Sequence, residues 1–70
     1  MTYELWDLVS RNMIDWFEDE ATALEAVCAY LEAGEADLVA LIVREASGAI
    51  VMSPTGDGLT EWASRLTAAS

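Results

Sequence analysis

The stretch Thr2-Tyr3-Glu4-Leu5-Trp6-Asp7-Leu8-Val9-Ser10-Arg11-Asn12-Met13-Ile14-Asp15-Trp16-Phe17 decides the fold. Two runs of β-branched, aromatic and apolar residues, Thr2 to Val9 and Met13 to Phe17, carry single acids between them, and Ser10-Arg11-Asn12 supplies turn chemistry in the middle. That pattern is a β-hairpin. Asn12 tolerates positive φ and is expected to close the turn. Alternation sets Tyr3, Leu5 and Asp7 on one face and Glu4, Trp6 and Leu8 on the other, while the second strand separates Ile14 and Trp16 from Met13, Asp15 and Phe17. Neither strand has a purely polar face, so some large side chains must be partly exposed or lie under another element.

Downstream, Glu18-Asp19-Glu20 meets apolar residues at helical spacing: Leu24, Val27, Cys28 and Leu31 fall at i, i+3, i+4 and i+7, with alanines between them. Asp19 is placed to cap this helix by accepting from the amide of Ala21 or Thr22, and Gly34 supplies its stop. Leu38 to Arg44 then forms a run rich in valine and leucine, which predicts a central strand or one covered on both faces. Ile50-Val51-Met52 pairs with it through a turn in which Gly48 takes positive φ, and Pro54 ends the ladder. Leu59, Trp62, Ala63 and Leu66 predict a short C-terminal helix that frays through Ala68-Ala69-Ser70. The order is ββαββα. A right-handed crossover gives an α+β domain spanning residues 1–70, with a four-stranded antiparallel sheet of order 2-1-3-4, one main helix and the short C-terminal one.

Composition bounds the function. Thirteen acids face three arginines for a net charge of −10, with no histidine, no lysine and a single cysteine. Histidine is the usual general base near neutral pH, and lysine supplies Schiff bases and phosphate contacts. The acidic balance opposes direct nucleic-acid binding, whose affinity comes mainly from cations that neutralise the phosphate backbone. A hydrophobic content of 54% separates the chain from acidic disordered tails. A chain this short buries only about 60% of its unfolded surface, and lone Cys28 cannot make an internal disulfide, so the core must hold the fold unaided. The longest apolar run, Leu38 to Val43, is too short to span a bilayer, and no basic segment precedes an apolar stretch; the expected location is cytoplasmic.

The first half resembles a pattern found in small bacterial proteins without an assigned function: Tyr3, Leu5, Trp6 and Asp7, then Asn12 and Ile14, then Phe17 and an acid-capped helix carrying Ala23-Leu24. The resemblance covers about half of the chain and implies a ββα arrangement with no activity attached. A thinner likeness exists to small antitoxin-type proteins that set a hairpin before an acid-started helix; their extended strand motifs and DNA-binding segment are missing here.

Candidate sites are few. Asp15, Glu18, Asp19 and Glu20 gather oxygen ligands of the kind divalent ions take, but helix capping explains them and no calcium-loop spacing occurs. Asp7 and Asp15 on facing strands form the one carboxylate pair with a glycosidase-like look. Ser53-Pro54-Thr55-Gly56-Asp57-Gly58 before a helix invites a phosphate-loop reading, yet it lacks the Walker lysine and puts Asp57 where a phosphate would sit. Cys28 on the apolar stripe reads as a small buried hydrophobe, and no serine has a base beside it. No catalytic residue, cofactor or metal is expected.

The tryptophans carry the remaining signal. Trp6 and Trp16, with Leu8 and Ile14, fall on the strand face opposite Tyr3 and Leu5, so a helix packed on the latter set leaves an aromatic patch open. Trp62, with Leu66, either covers that patch from the C-terminal helix or joins it as a contact residue. The expected function is a non-enzymatic interaction or regulatory module, a homodimer or the binder of a protein partner. Alternatives are an acidic decoy that imitates nucleic-acid charge in a basic groove, and a small ligand-sensing domain. Self-repulsion among thirteen acids lowers stability in dilute buffer, so the thermal midpoint should rise between low salt and molar sodium chloride. A midpoint indifferent to salt would show that specific pairing already offsets the repulsion.

Overall fold

Asp7 closes the first hairpin. Its carbonyl accepts from the Arg11 amide at 2.8 Å, one carboxylate oxygen accepts from the Val9 amide at 3.0 Å and the other from the Ser10 hydroxyl at 2.9 Å. Those bonds end the first strand earlier than its composition predicts, with Leu8 and Val9 in the turn. The computed structural model describes residues 1–69 and runs β1 (Thr2–Asp7), β2 (Asn12–Phe17), α1 (Glu20–Glu32), a 3-10 turn (Ala36–Leu38), β3 (Val39–Arg44), β4 (Ile50–Met52) and α2 (Asp57–Ala69). The left-handed residue of the turn is Arg11, at φ 61°, and not Asn12. Asn12 is already in the ladder opposite Asp7, so the conformational burden falls on the residue before it.

The sheet order is β2-β1-β3-β4 with every neighbouring pair antiparallel, an α+β fold. β1 and β3 pair over six residues, from Thr2 opposite Arg44 to Asp7 opposite Val39. Because paired residues share a face, Tyr3 and Leu5 project to the same side as Val43, Leu41 and Val39, and all five are buried. Between Leu5 and Trp6 the β1–β2 register shifts by a bulge, which brings Met13 opposite Trp6. Simple alternation had assigned Met13 to the side of Asp15 and Phe17; the extra residue in the bulge changes that.

Both helices lie on the Tyr3/Leu5 side. Ala23 and Val27 of α1 and Leu59, Trp62 and Ala63 of α2 belong to one buried cluster with the five strand residues. The alanine at position 23 lets α1 sit close to the sheet, and this rotates the helix relative to the apolar stripe read from sequence. Leu24 and Leu31 are only half-buried, and Cys28 turns toward the groove between α1 and the end of α2 and is not fully buried. Asp19 caps α1 by accepting from the Thr22 amide at 2.8 Å. Gly34, at φ 74°, ends the helix: its amide bonds Leu31 and the following amide of Glu35 reaches Tyr30, which satisfies the last carbonyls.

β3 is central in the sheet, as its apolar run predicts, but only one of its faces is covered by helices. Gly48, at φ 92°, makes the β3–β4 turn, and Pro54 ends β4 while its carbonyl still accepts from the Leu41 amide at 3.0 Å. α2 is not short: it has thirteen residues, as many as α1, and stays helical through Ala69. The fraying expected at Ser70 lies outside the described residues. The whole is a two-layer slab of 33 × 32 × 17 Å between Cα extremes. Its accessible area of 4407 Å² is close to the roughly 4,300 Å² expected for a compact chain of this mass, so exposed apolar residues reflect an uncovered face and not loose packing.

Leu41, fully buried opposite Leu5, sets a test of this core. Leu41→Ala should cost about 2–5 kcal/mol, enough to remove most of the stability of so small a domain, whereas Val51→Ala on the exposed edge strand should stay within about 0.5 kcal/mol of wild type. Urea denaturation followed by far-UV circular dichroism reads both, and equal midpoints would contradict the packing.

Candidate functional site

The face of the sheet turned away from the helices has a polar centre and apolar surroundings. Glu4, on β1, accepts from Trp6 Nε1 through Oε1 at 3.0 Å and from Arg44 Nε through Oε2 at 3.1 Å. Arg44 also donates from Nη1 to the Gly48 carbonyl at 2.9 Å. One carboxylate therefore joins β1, β3 and the β3–β4 turn, and both of its oxygens are occupied. Glu4 is largely shielded, which makes the pair stronger than a fully solvated one.

Around this hub the register sets rows of side chains. Trp16 on β2 and Ile42 on β3 flank Glu4; Met13 and Ala40 flank Trp6; Ile50 stands opposite Arg44. Alternation from Trp16 puts Ile14 on the same side. Trp16 is 45% exposed and Ile14 42%. Trp6 is half-buried and, with Leu8, Ala40 and Ile42, lines an open depression of about 430 Å³ rimmed by Asp7 and Arg11. The structure thus brings Trp6, Leu8, Ile14 and Trp16 to one side of the sheet. Trp62 does not join them: it is 5% exposed, in the core on the opposite side. It neither covers the strand tryptophans nor offers a contact surface, because α2 packs beside α1 and both fill the same side.

Ile42, Met13, Ile50 and the Glu4–Arg44 pair belong to this surface and were not singled out from the sequence. A signal existed. Antiparallel order 2-1-3-4 sets the end of β3 against the start of β1, and Arg44 is the cation at that end.

Elsewhere the candidate residues take structural duties. Asp7 is in its own turn, and hydrogen bonds from the Val9 amide and then from Ser10 hold its carboxyl below the usual carboxylate range, the opposite of what a general acid needs. Asp15 stands opposite Leu5, a different row from Asp7, and accepts from the Trp16 amide at 2.8 Å. Asp19 is likewise held low, by the Thr22 hydroxyl and amide that it caps. Burial, and then the charges of Glu20 and Asp19, push the Tyr3 phenol up, so it stays neutral under the start of α1. In the 53–58 loop the amides of Gly56 and Gly58 are spent on the Ala36 and Thr55 carbonyls. Gly56, at φ 55°, packs so close to Asp37 that a Cβ there would meet its Oδ1 at 3.0 Å, and that carboxylate adds to the charge opposing a phosphate.

Among the described residues no group of three or more cysteines, acids or histidines is gathered to hold a metal ion, and no helix is long and apolar enough to cross a membrane. No family model matches the chain, and no curated protein or solved structure shows significant similarity to it.

The lowered carboxyls of Asp7 and Asp19 give a pH dependence with a fixed sign. A folded-state value below the unfolded one adds stability that is fully present above the unfolded value of about 3.9 and is lost as pH falls through the folded value. The melting temperature should drop below about pH 4, and Asp19→Ala should both lower it at neutral pH and shrink the drop. An acid limb identical to wild type in Asp19→Ala would remove the cap from the account.

Proposed function

We propose that the chain is a non-enzymatic protein-interaction module whose contact surface is the helix-free face of the sheet. One observation carries the reading: Trp16, Ile14, Met13 and Ile50 stand 42 to 55% exposed on or beside a face whose central polar groups already satisfy one another. An exposed tryptophan among exposed aliphatic side chains, on a face with few unmatched polar groups, resembles the core of a protein interface, where charged residues are depleted and tryptophan is enriched. Desolvating this face costs little beyond the Glu4–Arg44 pair, which carries its own counter-charge.

The distribution of acids favours a second reading, an acidic decoy. Glu4 and Asp7 stand on the open face or its rim, whereas Asp19, Glu20, Glu25 and Glu32 lie at the start and along α1 on the other side of the sheet. A decoy would bind basic proteins through the helical layer with affinity falling steeply in salt. The two readings use opposite sides of the slab.

Affinity capture from a lysate of the source organism separates them. The tagged chain should retain a defined species, its own untagged copies included, that Trp16→Lys loses and Glu25→Ala keeps. The reverse pattern, loss with Glu25→Ala and retention with Trp16→Lys, would move the function to the acidic layer.

A further inference from the structure

The open face sorts charge in a way that bears on what covers it. Glu4 is matched by Arg44 at the centre of the face, and Asp7 by Arg11 on its rim, so these four groups carry no net charge. The excess of −10 comes entirely from residues other than these four. Two copies that met through their helical layers would press acids against acids. Through this face the helical layers would become the two outsides of a four-layer sandwich. Packed sheets stand ~10 Å apart with a helical layer beyond each, so the acids on the helices of opposite copies would lie well beyond the ~10 Å Debye length.

Area and polarity agree with that seating. A stable interface needs ~800 Å² per partner, and the broad side of the slab, 33 by 32 Å, accommodates it. The Glu4 oxygens, the Trp6 indole and Arg44 Nε and Nη1 already have partners within the chain. The surface therefore asks no complementary charge of its occupant, and an identical surface meets its requirement. Resting on the interaction-module reading, we infer that the occupant of the open face is a second copy of this chain, joined face to face about a two-fold axis with Trp16 and Ile42 near the centre. A closed two-fold contact of this kind consumes the patch on both copies.

Sedimentation equilibrium of the intact chain tests this from micromolar to sub-millimolar concentration. Wild type should reach twice the 7.6 kDa chain mass and keep it in molar sodium chloride. Trp16→Lys and Ile42→Lys each place a lysine beside Glu4, where the local charge favours it, and each lowers the net negative charge. General repulsion therefore falls in both variants, and a weaker dimer can only come from the face. Each should raise the dissociation constant by about tenfold or more, with a far-UV spectrum unchanged from wild type. Glu25→Lys on the helical layer should leave the dimer intact. A monomeric wild type overturns the second-copy assignment alone, since lysate capture still tests the face for another partner. A dimer that survives both lysine substitutions, or one that Val51→Pro on the β4 edge dissociates while they do not, overturns the face-to-face arrangement. Dissociation of the wild type in molar salt does the same, because it would mark an ionic interface.

Discussion

The six-residue pairing of β1 with β3 is the constraint on which the rest of the structure depends. It joins residues some forty positions apart, as the Glu4–Arg44 bond shows, and it is the ladder that ties the N-terminal hairpin to the second half of the chain. Its register does two things at once. On one side it lines up Tyr3, Leu5, Val39, Leu41 and Val43 as a floor for both helices; on the other it brings Glu4 and Arg44 within bonding reach and sets Trp16 and Ile42 beside them. A slip of β1 by one residue would flip its side chains, parting Glu4 from Arg44, putting Glu4 and Trp6 under the helices and turning Tyr3 and Leu5 into water. The hydrophobic term thus fixes the register, and the polar face follows from it.

One-sided coverage then follows from the helix sequences. α1 presents Ala23 and Val27, and α2 presents Leu59, Trp62 and Ala63, to the same cluster. The small residues at 23 and 63 allow both helices to lie on a sheet of only four strands, while Trp62 supplies the bulk that fills the space between them. With α2 engaged there, nothing in the described chain reaches the other side. The short connection from β4 to α2 reinforces this: Thr55 bonds the Val39 carbonyl and bridges Ala40, and Gly56 bonds Ala36, so the chain turns back at the sheet's end before the helix begins.

Element order, strand pairing and the main cap were legible in the sequence because each rests on a local signal: alternation in Thr2–Asp7, acids before an apolar period at Asp19, glycines at 34 and 48. What was not legible depended on competition between neighbours. Asn12 is a good left-handed residue, but Asp7 bonds to the turn so strongly through Val9, Ser10 and Arg11 that the left-handed position moves to Arg11. Periodicity in α1 pointed to Cys28, yet the approach of Ala23 to the sheet rotated that residue to the side. The tryptophan side of the first two strands was readable from alternation. Whether α2 would cover it was not, since Trp62 and Leu66 make an apolar stripe that fits either side equally well until the packing of α1 is known.

The Glu4–Arg44 pair explains why an apolar face carries charge at its centre. An uncharged row of Trp16, a leucine and Ile42 would bury more readily, but it would also pair with any other flat apolar surface. A bonded acid and base cost little in the open state, where water reaches Arg44, and they strengthen each other when water is excluded, provided that each keeps its partner. A surface that meets this pair with apolar atoms in register leaves it intact; one that intrudes on the bond between Glu4 and Trp6 or displaces Arg44 from Gly48 strands a buried charge. The pair therefore penalises misaligned contacts far more than aligned ones. In the proposed contact it would restrict the occupant to one of matching shape, and on a chain with two unpaired sheet edges that selectivity separates association from aggregation.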